Sequence, residues 1–248
     1  MKKRFLILFL TSNFCFSQTI INTENLLREI DSTLSVILNV EANFNVGNIN
    51  LAQVNNSLTF GKRIKNSLIR ISFGHEYIEE DSQVIANDWM GQIRYNRYFN
   101  DNSFFLFLQG QNVKSLSLNH RYLLGSGYRH RLLKKKNNYF DLSLGGFIEN
   151  ELYEKESVTP TRINNFRYSF SSFSNFDLSK RLHLLTSIYY QINSSNNTDR
   201  RIYLEPRLYL ELNKISLYAV LRHRYHSTPY INVLRTDNEF TIGIELDI

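Results

Sequence analysis

The sequence predicts an all-β fold: one transmembrane, antiparallel, up-and-down β-barrel of about twelve strands, preceded by a cleaved signal peptide. Three observations carry this. Apolar and polar residues alternate at period two along most of the 248-residue chain. The first residues have the layout of an export signal. The apolar residues are spread evenly, so no later stretch approaches the ~20 that a spanning helix needs. A mean hydropathy of −0.32 excludes a bundle of transmembrane helices. Eighteen Phe and 15 Tyr exclude disorder. Ten Gly and one Cys exclude collagen-like and disulfide-scaffold chains.

Met1-Lys2-Lys3-Arg4 is a positive start, Phe5 to Leu10 an apolar core, and Cys15 and Ser17 stand at the −3 and −1 positions of a cleavage before Gln18. Phe14 occupies the place where a lipoprotein signal has a small residue, so no lipid anchor is expected. Cleavage removes three of the six net positive charges. The pI of 9.3 is therefore partly signal peptide, and no Lys/Arg stripe with interleaved aromatics suggests nucleic acid. Cys15 leaves with the signal, which excludes cysteine chemistry in the mature chain. Residues 1–17 are thus read as signal, 18–33 as a short periplasmic segment, and 34–248 as the barrel. Asn22 to Ile30 fits one short helix capped by Asn22 or Thr23.

From residue 34 the period is two. Leu34, Val36, Leu38, Val40, Ala42 and Phe44 alternate with Ser35, Ile37, Asn39, Glu41, Asn43 and Asn45. The same pattern runs from Phe140 to Glu149, from Ile202 to Leu212 and from Glu239 to Ile248. Twelve such segments span 34–46, 49–60, 66–79, 86–99, 104–113, 120–133, 139–153, 163–176, 181–193, 200–212, 215–226 and 236–247. An even count suits a single-chain bacterial barrel. Tight polar connections, such as Asn100 to Ser103 and Asn213-Lys214, alternate with longer ones at 154–162, 194–199 and 227–235. Short periplasmic turns and longer outer loops produce that asymmetry.

A soluble β-sandwich would also alternate. The aromatics decide against it: Phe44, Phe60, Tyr77, Phe99, Phe104, Tyr122, Phe140, Tyr190 and Tyr225 gather near strand ends on the oily face, as interfacial girdles do. Pro206 is the awkward residue, because a closed barrel has no edge to hide its missing donor. A local bulge is the expected accommodation.

Several short segments resemble a known family. Asn22 to Leu26, the Val46-Gly47-Asn48 turn, Ile93 to Phe99 and Gly125-Ser126-Gly127-Tyr128-Arg129 are similar to the salt-induced outer-membrane protein family, domain of unknown function 481. The resemblance covers most of residues 35–248. It implies residence in the outer membrane and no enzymatic residues. The last strand resembles the signal read by the barrel-assembly machinery, with Ile248 where an aromatic is usual.

Candidate chemistry is sparse. Among six His, only His226 has a neighbouring Ser, Ser227, and neighbours in a strand point to opposite faces. His223 and His226 fail as a metal pair for the same reason. Glu79, Glu80 and Asp81 read as loop charge, Gly145-Gly146 as close packing within a strand, and Lys134-Lys135-Lys136 as a solvated turn. No catalytic, cofactor or metal residue is assigned. The expected function is a non-enzymatic outer-membrane protein, a narrow pore or a structural component; a phospholipase- or protease-like barrel is the alternative. Its partners would be outer-membrane lipid and, during biogenesis, the assembly machinery, and the barrel would be a monomer.

The residues expected to line the lumen are Glu41, Arg70, Glu76, Arg94, Arg129, Arg131, Glu149, Glu205, Arg207, Glu211, Arg222, Arg224 and Glu239. Arg207, Arg222 and Arg224 should meet Glu205, Glu211 and Glu239 of adjacent strands, because a charge buried alone is costly. Together with Arg121, Tyr203 and Tyr209, these long side chains should consume most of the lumen's width.

Overall fold

The computed structural model describes residues 34–45, 51–154, 159–213, 215–230 and 234–247. The expected signal, the segment 18–33 with its helix, the Gly47-Asn48 connection and Ile248 lie outside the described residues. Twelve antiparallel strands close into a barrel. They are β1 (Leu34–Asn45), β2 (Leu51–Ile64), β3 (Ser67–Glu80), β4 (Gln83–Phe99), β5 (Asn102–Val113), β6 (Leu118–Lys135), β7 (Asn138–Tyr153), β8 (Thr161–Asp177), β9 (Leu182–Asn193), β10 (Arg200–Leu212), β11 (Ile215–His226) and β12 (Thr236–Asp247). Each pairs with its chain neighbours, and β1 pairs back onto β12 from Ile37 opposite Asp247 to Glu41 opposite Gly243. Closure leaves no unpaired edge. Among the described residues no helix is long and apolar enough to cross a membrane.

All twelve expected strands form, and several run longer than the sequence pattern suggests. β4 begins at Gln83 and β6 extends from Leu118 to Lys135. Register shifts lie between Ile78 and Glu79, Gln111 and Val113, Leu118 and His120, and Arg131 and Leu133. Each bulge breaks the period-two phase, so alternation alone loses a strand that the hydrogen-bond ladder continues. At Pro206 the expected bulge is absent. It pairs with Thr186 in unbroken register, and the β10–β11 ladder resumes in phase from Leu204 opposite His223 to Arg207 opposite Val220. The missing donor is absorbed by a local lapse in pairing.

Turns and loops segregate to the two ends. One end, shared with the start of β1 and the close of β12, carries tight turns at Lys65, Asn100, Lys136 and Asn213, each with positive φ. Asn tolerates that conformation well, which lets this Gly-poor chain turn sharply. The opposite end carries the longer connections 154–160, 194–199 and 227–235, with a two-residue turn at Asp81-Ser82. Below, these are the turn end and the loop end.

The alternation sets the two faces. Phe73, Trp89, Leu108, Ile148, Phe240 and Ile242 point outward and are exposed, while the buried residues of every strand include polar or charged ones facing inward. Glycines shape the inner wall between β5 and β7. Gly127 pairs with Gly145, and the ring tips of Phe105 and Phe107 from β5 occupy the space beside Gly127 and Gly125 that a side chain would fill. A Cβ at position 125 would stand 2.5 Å from the Phe107 ring and 2.6 Å from Phe147 Cβ. Gly125→Val should therefore lower stability by about 1–3 kcal/mol. Urea midpoints of detergent-refolded protein measure this, and an unchanged midpoint would show that the ring does not fill that space.

Candidate functional site

The candidate site is the barrel interior, where two ion-pair networks and one cavity divide the space. The first network joins β10, β11, β12 and β1. Arg222 donates to Glu41 at 2.7 Å, to Glu239 at 2.8 Å and to Glu205 at 3.2 Å. Arg207 lies 3.1 Å from Glu205 and 3.8 Å from Glu41, with its guanidinium 4.5 Å from the Tyr218 ring centre. Tyr218 donates to Glu41 and Tyr209 to Glu245, each at 3.0 Å. Arg224 bridges Asp237 at 3.0 Å and Glu239 at 2.9 Å. Cations and carboxylates alternate in space, which offsets the desolvation each would suffer alone. Towards the turn end, Leu185, Tyr209, Tyr218 and Val220 pack into an apolar plug.

The second network lies at the loop end. Glu149 accepts from Arg121 at 2.9 Å, Arg167 at 2.5 Å and Arg201 at 3.0 Å. Glu151 lies 3.0 Å from Arg121 and 3.3 Å from Arg201. These five side chains are at most 2 % exposed. Arg201 belongs to β10 and both carboxylates to β7, so the ion pairs span the two intervening strands β8 and β9. Two loops latch onto this cluster. Asp199, from 194–199, accepts from Arg167 at 2.5 Å and meets His226 Nε2 at 2.8 Å. Tyr230, from 227–235, donates to Asp199 at 2.8 Å, accepts from Asn165 at 2.8 Å and packs its ring, tilted by 59°, 5.9 Å from that of Tyr153. Burial alone would raise the Asp199 carboxyl, but bonds from His226, Arg167 and Asn193 hold it well below the usual carboxylate range. Burial, opposed by Arg167 and reinforced by the bond to Asp199, pushes the Tyr230 hydroxyl up to about 12.

The other residues singled out from the sequence are distributed as follows. Arg129 and Arg131 both reach Asp141 at 2.9 Å. Arg70 and Arg94 stand opposite each other and both donate to Asn96. Glu76 accepts from Gln53 at 3.2 Å. Glu211 is the one member of its expected group placed elsewhere. It lies next to the last residue of β10 at 37 % side-chain exposure and meets His183 at 3.2 Å, apart from Arg207, Arg222 and Arg224. Its inward parity is correct but its height is not, because adjacent strands are offset along the barrel. Sequence reasoning omitted Glu151, Arg201, Asp199 and Tyr230 from the lumen. Parity would have found Glu151 and Arg201, two residues from Glu149 and Tyr203; nothing periodic marks the two loop residues.

The third part is a partly open cavity against β4 to β9. Its wall includes Gln92, Arg94, Phe105, Ser171, Tyr189 and Gln191. Here the wall also includes Ser143, Gly145, Ser169 and Ser171, which project little, so the lumen stays open opposite the packed wall. The candidate Ser–His pair is divided. His226 turns inward onto Asp199, whereas the Ser227 hydroxyl donates to the Thr198 carbonyl. Among the described residues no group of three His, Cys, Asp or Glu is placed to hold a metal.

The family model described as protein of unknown function, DUF481, matches residues 40–248. The chain belongs to this family. No curated protein matches. Among solved structures, the NanC porin superposes with a TM-score of 0.52 at 10 % identity, covering 84 % of this chain and 98 % of that one. The translocator domain of the autotransporter NalP from Neisseria meningitidis gives 0.47 at 12 % identity, with 90 % and 91 % covered. The KdgM porin gives 0.46 at 12 % identity, with 86 % and 98 % covered. The fold of this DUF481 chain is that of an outer-membrane β-barrel.

The latch has a pH signature. A carboxyl depressed on folding stabilises the barrel fully above its unfolded value and progressively less as pH falls below it. Asp199 should therefore contribute stability that is lost as pH drops from about 4. Asp199→Asn should remove roughly 1–3 kcal/mol at pH 7 and flatten that acid limb. Thermal unfolding of the detergent-refolded protein between pH 7 and 3 measures both; parallel wild-type and variant curves would refute the assignment.

Proposed function

We propose that the chain is a non-enzymatic outer-membrane barrel whose lumen is a narrow, selective path for small polar solutes. The observation that carries this is the bridge of Arg201 from β10 to Glu149 and Glu151 on β7, a buried ion-pair cluster at the loop end of the lumen. Twelve strands lie between barrels filled by their own side chains and wide aqueous porins. Here the width is divided: the β10-to-β1 wall is filled by paired charges, and open space remains beside β4 to β9. The tight turns are taken to face the periplasm and the longer loops the exterior. The outward apolar face serves lipid, and the barrel works as a monomer delivered by the assembly machinery after export.

Planar-bilayer recording tests the reading. The protein should give small conductance steps, and Arg201→Ala should enlarge them several-fold by removing the bridge. Large, stable steps from the unaltered protein, of the size a general porin gives, would contradict it.

A further inference from the structure

The turn end carries a charged surface on the outside of the barrel. The β6–β7 hairpin closes through Lys134, Lys135 and Lys136, all exposed. β5 pairs with β6 only as far as His130, so the residues after Arg131 pair with β7 alone and the hairpin tip extends beyond the β4–β5 turn. The β8–β9 turn adds Lys180 and Arg181, also exposed. Two bonds tie these turns together. Asn175 donates to the Asn137 carbonyl at 3.0 Å, and the Asp177 amide donates to Asn138 Oδ1 at 2.7 Å. Five cations are thus held on two coupled turns, and among the described residues none of the five has a carboxylate partner. The carboxylates at this end of β7 and β8 are engaged elsewhere: Asp141 with Arg129 and Arg131, and Asp177 with His183 at 2.7 Å.

The apolar residues among these cations are the second, independent observation. Leu132, Leu133 and Leu178 are 54 %, 43 % and 56 % exposed. Leu133 pairs with Phe140, on the strand face that carries the exposed Leu142 and Leu144. The oily outer face therefore reaches the cationic turns. A lysine stem lies along apolar surface while its ammonium stays at the polar level, so this order of groups fits the boundary of a bilayer. Free anions would use the cations but not the leucines.

We propose that the two turns form a docking surface for anionic glycerophospholipid, with the headgroup phosphate among Lys134, Lys135, Lys136, Lys180 and Arg181 and the acyl chains against Leu133 and the face it shares with Leu142. Clusters of this many cations at a membrane boundary attract anionic lipid. With the tight turns towards the periplasm, the lipid belongs to the periplasmic leaflet. The inference rests on the outer face being the lipid-facing one and is independent of what the lumen conducts.

The test is electron spin resonance of the refolded protein in phosphatidylcholine vesicles that carry a trace of spin-labelled phosphatidylglycerol or spin-labelled phosphatidylcholine. A motionally restricted fraction of either label reports contact with the barrel, and the ratio of the two association constants reports headgroup selection. Phosphatidylglycerol should associate about fivefold more strongly, the preference that one cation at an anionic surface confers. Lys134→Gln, Lys135→Gln and Lys136→Asn together should bring the ratio close to one; Asn is used at 136 because φ there is 55°. The same three lysines changed to arginine should keep the preference. Lys62→Gln with Lys65→Asn, which removes charge from the β2–β3 turn, should leave most of it. Heat-modifiable gel mobility reports folding; if the triple variant does not fold, Lys180→Gln with Arg181→Gln is read instead and should lower the ratio about twofold or more. A ratio of one in the unaltered protein, an unchanged ratio in the triple variant, or an equal loss in the Lys62 and Lys65 variant would each overturn the proposal. So would inorganic phosphate that lowers the ratio more than sodium chloride does at equal ionic strength, since that marks a free-anion site. Absence of any restricted lipid would overturn the lipid-facing reading of the outer face and the proposal with it.

Discussion

Everything inside this barrel follows from the cost of enclosing charge. A closed sheet with a lipid-compatible outer face must send its charged residues inward, and an enclosed charge is tolerable only when paired and hydrogen-bonded. Arg222 shows the result. Its guanidinium meets Glu41, Glu205 and Glu239, side chains drawn from three different strands. Glu149 does the same with opposite sign, accepting from Arg121, Arg167 and Arg201. Two of these pairs, Arg222 with Glu41 and Arg201 with Glu149, tie strands that are not neighbours, and they add rigidity that the backbone ladder does not supply.

The same requirement explains why the lumen is uneven. Where long charged side chains are concentrated, on β10 to β1, they fill the space they neutralise. Between β5 and β9 the inward positions hold Gly125, Gly127, Gly145, Ser169 and Ser171, which have little to project. The glycines also leave the space that the Phe105 and Phe107 ring tips occupy. Open volume is thus a consequence of composition at a few inward positions, and its lack of carboxylates gives it a different chemistry from the packed side.

Much of the fold was readable because period two survives in each strand: Leu34 to Asn45 alone fixes which face of β1 is oily. The bulges at Ile78/Glu79 and Arg131/Leu133 hid strand ends because they reverse that phase. Pro206 misled in the other direction, since a lapse in one ladder proved sufficient where a bulge was expected. In the site, inward parity identified individual charges, including Glu41, Arg207 and Arg222, but parity carries no height and no curvature. Glu211 was grouped with the wrong partners for that reason. The bridge from Arg201 to Glu149 joins strands three apart, and Asp199 and Tyr230 sit in loops without a repeat. Such contacts exist only once the sheet has closed.

The division of the lumen into a packed and an open wall is tested most directly by thiol accessibility in lipid vesicles. The chain's single cysteine, Cys15, allows a clean Cys15→Ser background. In it, Ser171→Cys probes the open wall, Thr241→Cys the packed wall and Ile244→Cys the outer face. A small, charged, membrane-impermeant thiol reagent should label position 171 readily and leave 241 and 244 unmodified. Equal labelling at 171 and 241, or labelling at 241 alone, would show that the ion-paired wall does not fill its side of the barrel.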